Sequence, residues 1–149
     1  MKLRYVRDSD YNQVRGALND WWGGRQMTHL LPRLFFEHFQ RTSLVIEEGD
    51  VIVAFLVGFV SQTHQNEAYI HFVGVHPDYR RDGLGRRLYE TFFDTVRHFG
   101  CDTVRCITSP VNTGSIAYHE RMGFTTSFVK DYAGPGEDRV LFVKHISQE

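Results

Sequence analysis

Hydrophobic positions along the chain switch between two spacings. Residues 3–7 alternate in type and predict a short first strand, after which Asp8 and Ser9 offer an N-cap for a helix running through Val14 and Leu18. Trp21, Trp22, Gly23 and Gly24 end that helix, and a second one rich in Leu and Phe is expected over about 30–40. Residues 44–47 and 51–61 are β-branched and aromatic, and Glu48, Gly49 and Asp50 between them suit a hairpin turn. His64, Gln65 and Asn66 make the next turn, leading to a strand over 68–75 that stops before Pro77. From Leu84 the spacing becomes helical: Leu84, Leu88, Phe92, Val96 and Phe99 recur on one side, and Gly100 stands where a helix end favours glycine. A strand over 103–108, a helix over 112–122 closed by Gly123, and strands over 124–130 and 140–145 around Ala133, Gly134, Pro135 and Gly136 complete the reading. The order β-αα-βββ-α-β-α-ββ predicts an α/β fold, a mixed sheet flanked by helices, in a single domain over 1–149.

Composition narrows the function classes. With 149 residues the chain can bury about two-thirds of its unfolded surface, enough for one ordinary core. Seventeen Lys and Arg against eighteen Asp and Glu leave a net charge of −1, which argues against a nucleic-acid partner. Cys101 and Cys106 match no zinc spacing and lie too far apart along an extended segment to bridge, so they read as reduced thiols with no metal. Lys2, Arg4, Arg7 and Asp8 leave no apolar signal-peptide core near the start, and the longest apolar run, 51–60, is half what a membrane helix needs. The expectation is a soluble cytoplasmic protein without a membrane partner.

The chemistry concentrates in residues 73–88. A strand ends at Val75, a turn carries Arg80, Arg81, Asp82, Gly83 and Gly85, and an amphipathic helix begins at Leu84. Glycines let backbone approach an anion closely, and the unpaired amides at a helix start point at it. Arg81 and Arg86 add charge on either side. A Walker loop is excluded because Arg86 and Arg87 stand where Lys and Ser or Thr are required. A dinucleotide fingerprint fits poorly, since Leu88 occupies the third glycine's place. The bland alternative is a tight turn with no ligand.

Arg80-x-x-Gly83-x-Gly85 after a strand and before a helix resembles the pyrophosphate-binding motif of the GCN5-related N-acetyltransferases, the GNAT superfamily. The run from Asn112 to Phe124 resembles that family's second signature, an Asn-led helix ending in Gly-Phe. With the element order, the resemblance covers nearly the whole chain. It implies strands that splay apart at 69–75 and 103–108, with acetyl-CoA between them and no metal. The cofactor's arm would pair with backbone at Val73 and Val75, its pyrophosphate would sit on the amides from Arg81 through Asp82, Gly83, Leu84 and Gly85 to Arg86, and Asn112 would touch the arm.

The implied reaction is direct acyl transfer from acetyl-CoA to an amine acceptor through a tetrahedral intermediate. The alternatives are a binding or regulatory module without turnover, or a different acyl group. Oligomeric state is open, a homodimer included. The family commonly places a Tyr acid eighth in the Asn-led motif; here that position is His119, with Tyr118 before it. The expectation favours His119 as the acid, with a solvated helix residue as its bland alternative; Tyr118 is the other candidate acid or, preferred, a core aromatic. Tyr69, His71, Val73 and Val75 share a strand face by the period of two, which nominates His71 as the base or as a hydrogen-bonded structural residue. Trp21 and Trp22 would form an aromatic wall or an anchor, and Asp131, Tyr132, Glu137 and Asp138 would attract a cationic amine or simply build a solvated turn.

Overall fold

The β-branched runs pair into a single seven-stranded sheet in the computed structural model, which describes residues 1–147. Its strands are β1 (Lys2–Tyr5), β2 (Leu44–Glu48), β3 (Val51–Val60), β4 (Glu67–Val75), β5 (Thr103–Thr108), β6 (Thr125–Val129) and β7 (Arg139–His145). The helices are α1 (Asp10–Trp21), α2 (Leu34–His38), α3 (Leu84–His98) and α4 (Thr113–Arg121). Spatial order is β1-β2-β3-β4-β5-β7-β6, and among the described residues only the β4–β5 pair is parallel. The expected α/β mixed sheet is therefore present, with its element order.

Both faces of the central strands are covered, so they read as continuous apolar runs. Leu88, Phe92 and Val96 of α3 pack on Ile46, Leu56, Ile70 and Val104. On the other face Val14 and Leu18 of α1 and Phe36 of α2 pack on Val45, Phe55 and Val57. Among the described residues no helix is long and apolar enough to cross a membrane.

Three local expectations need correction. The helix expected over 30–40 is broken into a 3₁₀ turn, Thr28–Leu30, and the short α2. Pro32 is the cause: it pushes the preceding residue out of the helical region, and Leu31 sits at φ −120°, ψ 81°. The second correction concerns the start of α1, where Ser9 makes no side-chain cap. Asp10 instead turns back, its Oδ2 accepting the Arg7 N–H at 2.7 Å while both its oxygens take hydrogen bonds from Arg4.

The third correction is in β4. Its register against β3 passes from Ile70 opposite Gly58 to Phe72 opposite Val57, so His71 is an extra, bulged residue. The bulge flips the strand's parity. Val73 and Val75 pack toward α3, whereas Tyr69 and His71 stack on Phe59 and Phe35 of the opposite layer. The four residues do not share one face.

Candidate active site

Beside the bulge, β4 loses its parallel neighbour. β4 and β5 pair only from Glu67–Thr103 to Tyr69–Arg105, where the Arg105 guanidinium also pairs with Glu67 at 2.8 Å. Beyond that point residues 70–75 keep β3 on one side and have no strand on the other. This open half of β4 runs into the phosphate-type turn.

The turn is built by local bonds. Pro77–Tyr79 forms a 3₁₀ turn whose Asp78 N–H donates to His76 Nδ1 at 3.0 Å. Gly83 takes φ 72°, a left-handed value that a side chain would strain, and α3 begins at the next residue. The first helical bond is Arg87 N–H to Gly83 O at 3.1 Å, so the amides of Leu84, Gly85 and Arg86 lie ahead of the ladder. Leu84 is buried and anchors this end, while Arg81, Asp82 and Arg86 are exposed. Arg80 has another role: it donates to Val75 O at 3.2 Å and Trp21 O at 2.6 Å, fastening the turn to the end of α1.

The Asn-led helix also differs in detail. Asn112 caps α4, accepting the Ser115 N–H at 3.3 Å. His119 is neither solvated nor turned to the open strand; it is 7% exposed and stacks on Phe142 at 4.2 Å. Its Nδ1–H donates to Ser115 O at 2.7 Å, which leaves Nε2 to accept from the Tyr89 hydroxyl at 2.8 Å. Burial pulls the His119 pKa below its usual value, and the Ser115 bond opposes this. Tyr118 packs partly against the core, but its hydroxyl oxygen is buried and without a partner. That oxygen lies 3.0 Å from where a Cβ on Gly85 would sit, so a side chain there would require the Tyr118 ring to give way by a few tenths of an ångström.

This geometry fits His119 as a tie between α3 and α4. His119→Phe is expected to lower the melting temperature by several degrees, because Tyr89 loses its buried partner at about 1–3 kcal/mol. Were the chain to carry out the acyl transfer its motifs imply, kcat at saturating donor should then fall less than tenfold. A roughly 10²–10⁴-fold loss at unchanged melting temperature would mark a proton donor instead. Tyr89 and the part it plays carried no signal in the sequence, where it sits beside the core stripe of α3.

On the opposite face, His71 lies flat on Phe35, with centroids 4.9 Å apart and planes at 15°. Its Nε2–H donates to Leu30 O at 2.8 Å, which leaves Nδ1 unprotonated in the neutral ring. The covered ring face lowers its pKa, partly offset by the Leu30 bond. Tyr69, stacked on Phe59 at 5.4 Å, has its phenol pushed up to about 12 by burial. Trp21 is a buried anchor on Phe55, whereas Trp22 packs over Phe72 and Gly74 beside the open strand. Asp131 and Asp138 build the last hairpin's loop, with Asp131 Oδ1 accepting from Gly136 N–H and Asp138 Oδ1 from Asp131 N–H. Among the described residues no cluster of three or more His, Cys, Asp and Glu is arranged to hold a metal ion.

A match to the Acetyltransferase (GNAT) family extends over residues 11–124. The chain belongs to this family. Similar GNAT proteins include the ribosomal protein bS18 alanine N-acetyltransferase of Escherichia coli, 32% identical over 79 residues, or 53% of each chain. The matched segment thus spans about half the length of that relative. The enzyme of the same name from Salmonella typhimurium is 28% identical across 85% of this chain and 89% of its own. Among solved structures, yncA of Salmonella typhimurium, determined with its cofactor acetyl-CoA, superposes with a TM-score of 0.73 at 21% identity, covering 100% of this chain and 95% of that one.

Proposed function

We propose that this GNAT chain, acting as one domain, transfers an acetyl group from acetyl-CoA to an amine. The supporting observation is the open half of β4 leading into the free amides of Leu84, Gly85 and Arg86. A pyrophosphate on those amides leaves the pantetheine arm to run back along Val75 and Val73, taking hydrogen bonds a fifth-strand neighbour would otherwise make. Four strand steps from Val75 reach His71, about 13 Å at ~3.3 Å per residue. An extended arm covers that run, so the thioester would come to the bulge. Tyr118, beside Gly85, then belongs to the phosphate end.

In this reading the amine attacks the thioester carbonyl, a strand amide near Val73 donates to the developing oxyanion, and the C–S bond breaks. His71 Nδ1 accepts the proton released by the amine, directly or through water. The thiolate takes its proton from solvent, since His119 has both nitrogens engaged. The same engagement favours the rival reading, a module that binds the cofactor without turnover. Thiol release from acetyl-CoA with a panel of amines, N-terminal peptides included, separates the two: amine-dependent release supports transfer, and slow hydrolysis alone supports the module. We take the acceptor to be a small amine or a flexible N-terminal or lysine amine.

Acetyl-CoA at 100 times its Kd should stabilise the fold by about 2.7 kcal/mol, several degrees in melting temperature. NAD or ATP at equal concentration should do much less. Gly83→Val places a side chain at φ 72° over the anion seat and should abolish the shift. An undiminished shift in that variant, or equal stabilisation by NAD, would remove the assignment.

A further inference from the structure

A separate recess opens at the C-terminal end of α2. Residues 37–42, Val60 and Phe99 line a groove of about 430 Å³. Its floor is apolar: Phe99 is 46% exposed just after α3, and Phe39 and Val60 are half-buried. Glu37, His38 and Arg41 stand exposed at its rim, and among the described residues none of these side chains makes a hydrogen bond or an ion pair. The groove is continuous with the bulge of β4. His71 stacks on Phe35 at 4.9 Å, Phe35 packs on Phe39 at 5.3 Å, and Phe39 lines the groove. Along the sheet, Val60 pairs with Ala68, three strand steps or about 10 Å from His71. An extended chain of roughly three or four residues spans that distance. The surface beside this path is basic. Over 25–41 the exposed ionic groups are Arg25, Arg33 and Arg41 against Glu37 alone, with His29 and His38 among them. Arg33 is matched by Asp8 at 3.2 Å, whereas Arg25 and Arg41 have no ion pair among the described residues.

We propose that this groove docks an acidic segment of a polypeptide acceptor, roughly three or four residues beyond the amine that reacts beside His71. The inference rests on acyl transfer at the bulge and deepens it, naming the acceptor as a chain rather than a small amine. A carboxylate of that segment meets the Arg41 guanidinium, whose planar fork suits its two oxygens. An apolar neighbour in the same segment covers Phe99 and Val60, which otherwise face water. Glu37 repels the carboxylate from the rim, but the unpaired Arg25 and Arg41 outnumber it. A polyamine or a lysine-rich tail meets the wrong sign along the same path.

Fluorescence anisotropy with octapeptides labelled at the C-terminus reads docking without turnover. The peptides share one N-terminal residue and carry Glu, Gln or Lys at their fourth and fifth positions. With CoA present, the wild-type chain should bind the Glu peptide about fivefold more tightly than the Gln peptide, near the most an exposed charge pair contributes, and added salt should erase the difference. Moving both Glu to the last two positions should cancel the gain. Arg41→Gln should remove the preference and leave the affinity for the Gln peptide unchanged. Arg41→Glu should reverse the order in favour of the Lys peptide, an outcome that a damaged fold does not produce. Equal binding of the Glu and Gln peptides by the wild type, no binding of either, or a preference that survives in Arg41→Gln overturns the docking site. Thiol release from acetyl-CoA is measured with the same peptides. Release without a Glu preference removes the docking site alone, and a Glu preference without release removes acyl transfer alone.

Discussion

His71→Gln is expected to lower kcat/KM at pH 7 by about 100-fold, the lower end of what a positioned proton acceptor contributes. The amide of Gln can keep the hydrogen bond to Leu30 O, so Phe35 and the 3₁₀ turn retain their packing, yet it cannot accept a proton. CoA affinity should be nearly unchanged, which separates lost chemistry from a damaged cofactor site. The pH profile gives an independent reading. Burial against Phe35 holds the His71 pKa below its ordinary value near 6.5, so the ring is neutral and competent at pH 7. The fall in activity that His71 causes should lie under about pH 6.5, as the ring takes a proton, while above it kcat/KM should rise only as the acceptor amine loses its own proton. A Gln variant with wild-type rates would return His71 to a purely structural part.

Arg4→Met should cost about 3–5 kcal/mol of stability, because it strands Asp10 as a buried charge. For a chain of this length that is roughly 10 °C or more in melting temperature. Arg4 donates to both oxygens of Asp10 at 2.8 and 2.9 Å and to Glu47 at 3.1 Å, joining β1, the start of α1 and β2. Burial disfavours the Asp10 carboxylate, but the Arg4 and Arg7 hydrogen bonds outweigh it and hold its pKa below the usual range. The sign for acid follows: this carboxylate's contribution is complete above its unfolded pKa, near 3.9, and is lost as pH falls through the lower folded value. Adding Asp10→Asn to Arg4→Met should recover much of the loss, since Asn keeps the Arg7 N–H bonded and carries no charge. A single variant that melts with the wild type would show that the triad contributes no net stability.

Periodicity was sufficient for the sheet, α3 and the position of the turn, because those depend on which side of an element is apolar. The departures come from interactions that spacing does not encode. Pro32 was visible in the sequence, but the Leu and Phe around it hid its effect on the helix expected over 30–40. The extra residue at His71 could not be seen, since a bulge is defined by the partner strand's register and β4 alternates acceptably without it. At the site, Gly83 and Gly85 were legible as backbone requirements. The reach of side chains was not: Arg80 spends its guanidinium on Trp21 and Val75 carbonyls, and His119 is consumed by Tyr89 and Ser115. Residue type fixes what a group can do, and only packing decides which neighbour receives it.

The gap between β4 and β5 leaves a strand edge in the middle of the sheet, far from β1 and β6 at its borders. Unpaired edges invite another chain to add a strand, and proteins ordinarily blunt them with charge, proline or short length. From Ile70 to Val75 this edge carries Phe72 and two valines with no Asp, Glu, Lys, Arg or proline, and only its short length and the His71 bulge blunt it. The acetyl-CoA proposed for the gap would therefore double as its cover. Protein stripped of ligand should be the form that self-associates on concentration or mild heating, and purification in the presence of CoA should suppress that association.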